Sequence, residues 1–488
     1  MSIESGPLAD EGETEGAALA ARGPVRIDTG YRRILRVTSP VLVTQLSYTA
    51  MGVIDTMMVG QLGVVELGAV GLGNLLSWWF LSLFFGMLAG VNTFVAQSYG
   101  AEDGDGVAAT LWHGLYMGLG MLAIIACVWP FAPSIFALTG ADAEMIALAG
   151  SYSQVRLGGA LGLVILGVSD NFYRGLGRTD VPMFCAFGQL TLNCGINYLL
   201  IFGKFGFPQL GAVGAAWGTV IAQLIIGLTL LSTILLGRLR SEYRLFAHLR
   251  FRPAFALSML RVSAPIGVQV FMEMGGISVF SAVVARLGTV EMAVTNAVIQ
   301  AWSLAFMSAY ALSVGATTLT GQCLGAGQKD EVRLVVRRVM FVGLGLMTLT
   351  GTLYIGFPEQ IIEVFGKEGE LSGMISYARP LLTVVVVCLF FDLRLNVLAG
   401  ALRGAGDTTY AMVVTIASAW LIFVPLTLYT TPRWGLLAAW WCLVLHVAVM
   451  TLLLEVRYRG QKWLRRLATE EVLEGEPLAP QLKEEPVG

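Results

Sequence analysis

Charged residues are scarce in this sequence. Only 13% of the 488 residues are Asp, Glu, Lys or Arg, whereas 56% are hydrophobic and the mean hydropathy is +0.72. A water-soluble core of this size cannot hide so large an apolar fraction, which is enough for about twelve membrane spans of roughly 20 residues each. The formal net charge of -2 also excludes a basic nucleic-acid binder, because neutralising phosphates requires an excess of Lys and Arg.

Cysteine pairs, histidine clusters and catalytic motifs are missing as well. The six cysteines lie far apart and form no CxxC pair, which argues against both a disulfide framework and a zinc site. The three histidines have no partner at metal-ligand spacing. HExxH, the P-loop pattern GxxxxGK[ST] and GxSxG do not occur, so the sequence has no signature of ATP hydrolysis or of standard hydrolase chemistry. We therefore expect neither an enzyme nor a cofactor-binding protein.

Long apolar runs alternate with short polar segments. Because the runs exceed about 20 residues and lack the roughly ten-residue alternation of membrane β-barrels, they predict an all-α polytopic membrane protein with twelve transmembrane helices. The predicted spans are 35–60, 67–98, 108–130, 144–172, 182–203, 211–237, 258–286, 292–324, 334–357, 373–402, 409–430 and 436–457.

The two halves of the chain resemble each other. A shift of 225 residues places Pro40 on Pro265, Gly90 on Gly315 and Gln97 on Gln322, and a shift of 229 places Arg174 on Arg403. Six helices in each half is an even number, so both halves enter the membrane from the same side. The repeat predicts two pseudosymmetric six-helix lobes, an arrangement that allows a cleft between them to open to each side in turn.

Composition and charge predict the domain boundaries and the orientation. We expect a disordered tail over residues 1–30, an N-lobe over 31–237, a linker over 238–257, a C-lobe over 258–460 and a second tail over 461–488. Most Lys and Arg fall in the tails, the linker and the loops of one side. The positive-inside rule therefore places both termini in the cytoplasm of a multi-pass inner-membrane protein.

Two basic residues within the spans, Arg156 and its repeat mate Arg379, are expected to reach the helix ends.

Three carboxylates stand out deep within predicted spans, where a charge costs about 2.5 to 3.5 kcal/mol to insert. They are Asp55 in helix 1, Glu273 in helix 7 and Asp392 in helix 10, and the repeat copies none of them. Desolvated acids of this kind exchange protons or share a sodium ion through their oxygens, which makes the three candidate cation-coupling residues. The alternative is a buried acid neutralised by a neighbour, such as Asp392 by Arg394.

A second polar set lies in the first half. Asn193 and Asn197 are four residues apart and so share one face of helix 5, and Thr219 lies in helix 6. Together with Asp55 they offer carboxylate, amide and hydroxyl oxygens, a set that suits a hard cation such as Na+. Hydrogen bonding between packed helices is the equally weighted alternative.

These residues resemble the motifs of the multidrug and toxic compound extrusion (MATE) transporters, specifically the NorM-type branch. Residues 54–60 are similar to the helix 1 motif of that family, residues 271–273 to its helix 7 acid, and Asp392 with residues 401–407 to its helix 10 acid and the following turn. The resemblance covers about residues 30–460. It implies a MATE/MOP-type fold and antiport in which Na+ or H+ enters while bulky amphipathic or cationic drugs leave.

The resemblance also implies two cation sites. Asp55, Asn193, Asn197 and Thr219 correspond to a first-lobe site, and Glu273 and Asp392 to a second-lobe site. Asn197 replaces an acid of the archaeal branch, which favours the NorM-type branch. Thr295 and Asn296 replace the common His-Gln pair of helix 8, which leaves the drug contacts open.

The expected partners are the drug, the lipid bilayer and no nucleic acid, and the expected state is a monomer. Two alternatives stay open. A lipid-linked oligosaccharide flippase of the same superfamily would line its cleft with several Arg or Lys, whereas a receptor or scaffold without transport predicts neither mid-span acids nor a two-lobe repeat.

Overall fold

The structure is a computed structural model that describes residues 26–131, 142–365, 371–460 and 462–465. Helices and the short turns between them account for these ranges, and no strand occurs within them. The all-α prediction is confirmed. In apolar surroundings this is the expected result, because a helix satisfies its backbone N–H and C=O groups internally.

The first half forms six membrane-crossing helices, of which the second and the fourth are interrupted. They are α1 (Tyr31–Gly60), α2a (Val64–Leu88), α2b (Gly90–Gly100), α3 (Gly104–Val128), α4a (Ala143–Gly158), α4b (Ala160–Gly175), α5 (Asp180–Phe202) and α6 (Gly211–Leu236). The α4 pair bends by 44° at Gly159. A side chain at Gly159 would overlap Val220, so this glycine lets α4 pack closely against α6.

The second half repeats this plan without the interruptions of the second and fourth helices. Its first four membrane-crossing helices are α7 (Pro253–Val284), α8 (Thr289–Gly325), α9 (Lys329–Gly356) and α10 (Leu371–Gly404). A short helix, Pro358–Phe365, follows α9.

The last helical stretch, Thr408–Arg459, contains 52 residues. At 1.5 Å per residue it would be about 78 Å long, more than twice the thickness of a bilayer core. Gly435 divides it, because its backbone (φ 74°, ψ -164°) is not helical. We therefore treat residues 408–434 as α11 and residues 436–459 as α12.

Ten helical stretches of the described residues are long and apolar enough to cross a membrane, and the bent α4 pair adds an eleventh candidate. The predicted twelve is obtained only if the last stretch is counted as two spans divided at Gly435.

Some predicted boundaries are too far along the chain. Residues 26–30, expected in the first tail, pack on the start of α9, where the Ile27 N–H donates to Gln328 Oε1 (3.1 Å) and the Thr29 hydroxyl to Glu331 (2.8 Å). Helix α7 begins at Pro253, inside the expected linker. At the first place the polar groups find partners on α9, and at the second Phe255 packs into the core of the first half. The remaining tail residues, 1–25 and 466–488, lie outside the described residues.

Each half has its own hydrophobic core, and the two halves exchange one element. The larger core lies in the second half but includes Ile34 and Val37 from the start of α1. The core of the first half includes Met259 and Val262 from the start of α7. These four residues are mates under the 225-residue shift, so the exchange is itself pseudosymmetric. That each lobe moves as a rigid unit stays a prediction.

Candidate functional site

Four polar residues of α1, α5 and α6 form one hydrogen-bonded chain in the first lobe. Asn197 Nδ2 donates to Asp55 Oδ1 (2.6 Å) and lies 3.3 Å from Asn193 Oδ1. Asn193 Nδ2 donates to the Thr219 hydroxyl (3.4 Å), which itself donates to the carbonyl of Ala215 (3.0 Å). The structure thus brings together all four residues of the predicted first-lobe set.

This first-lobe cluster contains unused oxygen ligands. Asn193 and Asn197 are fully buried, and Asn197 Oδ1 has no hydrogen-bond partner among the described residues. A side chain at Gly218 would overlap this same oxygen, so the glycine makes room for it. In the described part of the chain, no group of three or more His, Cys, Asp or Glu is placed so that it could hold a metal ion. One carboxylate with neutral oxygens suits a monovalent cation better than a divalent one.

Arg156 of α4a lies close to this cluster. It is 8% exposed, interacts electrostatically with Asp55, and its Nε has no hydrogen-bond partner among the described residues. Arg156 was expected to snorkel or to bind a helix end; it lies in the last turn of α4a but is buried within the protein, so snorkelling does not describe it. Its repeat mate Arg379 is exposed, as expected. The sequence offered one signal for this contact. Arg156 is a basic residue inside an apolar run, near the depth of Asp55.

In the second lobe, Asp392 of α10 is 3% exposed and Glu273 of α7 is half-buried. The Trp302 indole N–H donates to Asp392 Oδ2 (2.7 Å), and Cys388 Sγ lies 3.8 Å from the same oxygen. The two acids interact electrostatically, although no hydrogen bond joins them among the described contacts. They therefore face the same region of the lobe without forming a pair.

Two expectations about Asp392 change. Arg394, the alternative neutralising partner, instead forms an ion pair with Glu455 (2.6 Å). The contact of Trp302 with Asp392 was missed, because the tryptophan lies in α8, far away in sequence. The contact of Cys388 was detectable, since it precedes Asp392 by four residues and so shares its helix face.

The two lobes are hydrogen-bonded to each other where α2b, α4b, α8 and α10 end. The Thr93 hydroxyl and Gln97 Nε2 donate to the carbonyls of Arg403 (3.0 Å) and Gly404 (2.8 Å). Their repeat mates Thr318 and Gln322 donate to the carbonyls of Arg174 (3.2 Å) and Gly175 (2.8 Å). We call these four side chains and four carbonyls the inter-lobe seal. The seal lies at the same face of the membrane as the linker and the chain termini. We call this face the terminal side.

Glycines allow the lobes to approach at the inter-lobe seal. A side chain at Gly100 would overlap the carbonyl of Gln322, and one at its mate Gly325 would overlap the carbonyl of Gln97. These steric contacts repeat the pseudosymmetry of the hydrogen bonds. The two halves therefore meet on the terminal side through matched contacts from both of them.

A buried ion pair lies beside the inter-lobe seal and was not predicted. Asp170 and Arg174, four residues apart in α4b, are 8% and 4% exposed, and Asp170 oxygens contact Arg174 Nε at 2.9 Å and its terminal nitrogen at 2.7 Å. Sequence reasoning placed Arg174 in a loop as an orientation marker. The i, i+4 spacing of acid and base was the signal that identifies such a pair.

Comparison with known proteins agrees with the two-lobe geometry. The family model described as MatE matches residues 40–199 and 265–429, one stretch in each half. The chain belongs to the MATE family. It is therefore a transporter rather than an enzyme, and a multi-pass membrane protein, as the sequence predicted.

Curated relatives of this MATE protein cover nearly its whole length. It is 26% identical over 440 residues to a probable multidrug resistance protein NorM of Thermotoga maritima, a match that covers 89% of this chain and 93% of the relative. It is 29% identical over 455 residues to the multidrug resistance protein MdtK of Yersinia pseudotuberculosis, covering 91% and 97% of the two chains. The predicted resemblance to NorM-type MATE proteins is confirmed.

Solved structures show the same fold. A MOP superfamily transporter from Pyrococcus furiosus, described as having a binding pocket of reversed polarity, superimposes with a TM-score of 0.80 at 21% identity, covering 89% of this chain and 96% of that one. A multidrug resistance MATE transporter in an outward-facing conformation also gives 0.80 at 21% identity, covering 90% and 97%. The eukaryotic MATE transporter AtDTX14 gives 0.79 at 19%, covering 91% and 98%.

Proposed function

We propose that this MATE protein exports drugs by secondary active antiport, in which Na+ or H+ moves inward as an amphipathic or cationic drug moves outward. The names of the NorM and MdtK relatives support multidrug resistance as the biological outcome. Mid-span acids on both sides of an inter-lobe cleft support the use of a cation gradient.

The observation that carries the proposal is the inter-lobe seal. Matched hydrogen bonds from both halves close the cleft on the terminal side, whereas Asp55 and Glu273 remain half-exposed beyond the seal. Breaking a limited set of contacts on one side, with each lobe keeping its own core, is what alternating access requires. With the termini in the cytoplasm, as the basic residues indicate, this state is outward-facing.

We assign the first-lobe cluster to cation binding because of its unsatisfied oxygen. Asn197 Oδ1 is buried without a hydrogen-bond partner in the described part of the chain, beside the carboxylate of Asp55. A buried acceptor left unpaired costs about 1 to 3 kcal/mol, a cost that a bound cation removes. Glu273 and Asp392 form the second cation-coupling site, with Asp392 oriented by Trp302.

Coupling follows if the cation and the drug prefer different states of the cleft. A ligand shifts a conformational equilibrium only through its difference in affinity for the two states. Cation binding at the acids and drug binding in the cleft then exclude each other through the closure of the inter-lobe seal. Removing the charge of a coupling acid is expected to stop transport without unfolding the protein.

Efflux from drug-sensitised cells tests the proposal. We expect Glu273→Gln and Asp392→Asn to abolish efflux of a fluorescent cationic dye and Asp55→Asn to lower it at least tenfold, at equal amounts of protein in the membrane. Glu102→Gln, at an exposed acid in the turn after α2b, is the matched control and is expected to retain efflux.

The same cells identify the ion. Loss of efflux with a protonophore indicates H+, and loss on replacing Na+ indicates Na+. Efflux that persists in all three acid variants rules the coupling role out.

The charge pattern does not favour the flippase alternative. A flippase for pyrophosphate-linked lipids was expected to offer several free basic residues in the cleft. Arg174 is instead paired with Asp170, and Arg403 faces Glu273 electrostatically. These basic residues therefore interact with acids of the protein and are not free to hold a pyrophosphate group.

A further inference from the structure

Each lobe has an arginine at the inter-lobe seal, but different groups balance the charges of the two arginines. Arg174 and Arg403 are repeat mates, and the carbonyl of each accepts a threonine hydroxyl from the other lobe. In α4b, Asp170 holds the Arg174 guanidinium at 2.7 Å. The corresponding residue of α10 is Ala399, which is 3% exposed and has no charge. One half of the seal therefore carries a fixed ion pair, and the other half does not.

The counter-charge of Arg403 lies in a different helix. Arg403 Nε is buried without a hydrogen-bond partner among the described residues. Its guanidinium interacts electrostatically with Glu273 of α7 and with Tyr310 of α8. Glu273 also interacts with Asp392 of α10, so these are the titratable groups that face it. Among the described residues, Arg403 makes no ion pair within 4 Å. No short ion pair therefore fixes the position of its guanidinium.

We propose that Arg403 is a positioning residue that links the second-lobe cation site to the inter-lobe seal. Its guanidinium provides the counter-charge of Glu273 when no cation is bound, and its carbonyl accepts the Thr93 hydroxyl that closes the seal. The inference rests on the proposed role of Glu273 in cation binding.

The physical sequence of events follows from charge balance. When Na+ or H+ binds at Glu273, the acid no longer neutralises Arg403. Arg403 is half-buried and its Nε is enclosed, so without a counter-charge its guanidinium moves towards another partner or towards water. The end of α10 moves with it and weakens the bonds that Thr93 and Gln97 make to Arg403 and Gly404. Arg174 stays fixed by Asp170, so the response to the cation is confined to one lobe.

Spin labels across the seal measure this response in the full-length protein. Glu102 and Lys329 are exposed on the terminal side, one in each lobe, and tolerate labelling as Glu102→Cys and Lys329→Cys. The native cysteines that are exposed or half-buried, Cys127, Cys185 and Cys194, are replaced by alanine. Double electron–electron resonance then gives the populations of the closed and open seal. The probes are replacement of Na+ by K+ at constant pH, and a pH step in Na+-free buffer.

We expect the effective cation to change the ratio of open to closed populations of the parent by about 5- to 150-fold, the usual range of coupling between two sites. Arg403→Gln is expected to lose this response and Arg403→Lys to retain most of it, because the lysine keeps the charge. Ala399→Asp places an acid four residues before Arg403, as in α4b, and is expected to lose the response. Ala399→Asn, of equal size and without charge, is the matched control and is expected to respond.

The outcomes separate the inference from the proposed function on which it depends. Loss of the response in Glu273→Gln and Arg403→Gln, with retention in Arg403→Lys and Ala399→Asn, supports the link. A response that is lost in Glu273→Gln but unchanged in Arg403→Gln and Ala399→Asp overturns the role of Arg403 and leaves Glu273 as a coupling acid. An unchanged response in Glu273→Gln overturns the coupling role of Glu273 itself and the inference with it.

Discussion

In each of the two proposed cation sites, one acid is hydrogen-bonded to an uncharged neighbour. Asn197 orients the carboxylate of Asp55, and Gly218 leaves room for Asn197. Trp302 plays the corresponding part for Asp392. Such orienting groups typically change cation affinity by about 10- to 100-fold when they are removed. Single substitutions that leave every carboxylate in place therefore test the two sites separately.

Gly218→Ala is expected to weaken cation binding at the first-lobe site by about 10- to 100-fold, because the added methyl group displaces Asn197 Oδ1. Isothermal titration of the purified protein with NaCl, or with acid if the ion is H+, measures the change. Gly195→Ala is the matched control, since it lies in α5 between the two asparagines and a side chain there meets nothing within 4 Å. Equal affinity in both variants would show that the cluster is only packing.

Trp302→Phe removes the indole N–H that donates to Asp392 but keeps an aromatic ring in place. We expect cation affinity of the second-lobe site to fall by about 10- to 100-fold, with little change in the melting temperature. The cation dependence of dye efflux reports the shift. Trp441→Phe, at an exposed position of α12, serves as control. An unaltered cation dependence in Trp302→Phe contradicts the role of the indole.

Asp170→Ala is expected to reduce the free energy of unfolding by about 3 to 5 kcal/mol, because it leaves Arg174 buried without its ion-pair partner. Thermal unfolding in detergent measures the loss. The double variant Asp170→Ala, Arg174→Met is expected to recover part of it, since both charges are then absent. A double variant less stable than Asp170→Ala alone would argue against an uncompensated arginine as the cause.

At the scale of helices, the sequence predicted more of the fold than of the contacts. Apolar run length and repeated Pro, Gly and Gln identify the helices and their pseudosymmetry, because these residues mark backbone constraints that both halves share. The division at Gly435 was predicted as a gap between two spans. The break in α2 at Ala89 was not, since it leaves no polar interruption in the apolar run.

Only part of the candidate site was predicted from the sequence, and the reason is physical. Asp55, Asn193 and Asn197 are costly in a bilayer and stand out by type, so their positions alone mark them. Trp302 and Arg156 are residue types that often occur near span ends, and only tertiary packing shows that they approach Asp392 and Asp55. Asp170 was overlooked because it lies at the end of the predicted span 144–172, where a carboxylate stands out less than at mid-span.

Two glycines of the inter-lobe seal, where helices of the two lobes cross, provide a test at the scale of helices. Gly100→Ala and Gly325→Ala each place a methyl group against a carbonyl of the opposite lobe. Overpacking of this kind costs about 1 to 3 kcal/mol, so we expect the closed state to lose about 5- to 150-fold in population. The spin labels at positions 102 and 329 measure the population of the closed state.

Gly120→Ala and Gly345→Ala are matched controls for the seal. They are mates under the same shift, and a side chain at either meets nothing within 4 Å. Neither is expected to change the label distances. A closed seal in Gly100→Ala and Gly325→Ala, indistinguishable from that of the controls, contradicts the assignment of these contacts to a gate.

At the scale of the whole molecule, the two halves exchange the starts of α1 and α7 between their hydrophobic cores and meet at one inter-lobe seal. The starts of α1 and α7 pack into the opposite lobes, and equivalent hydrogen bonds made by repeat mates join the lobes on the terminal side. If the lobes alternate as proposed, the side that is closed cannot follow from sequence, because both states contain the same residues and differ only in which contacts form.

Transport by purified protein in liposomes tests the central claim of cation-coupled antiport most directly. Dye is placed at equal concentration on both sides, and a Na+ or H+ gradient alone is imposed, so that the dye has no gradient of its own. We expect the parent to accumulate dye against its concentration when the effective cation flows the opposite way, and Glu273→Gln, Asp392→Asn and their double variant to show no accumulation. Equal accumulation by the parent with and without either gradient, or undiminished accumulation by the double variant, would contradict cation-coupled antiport through these acids.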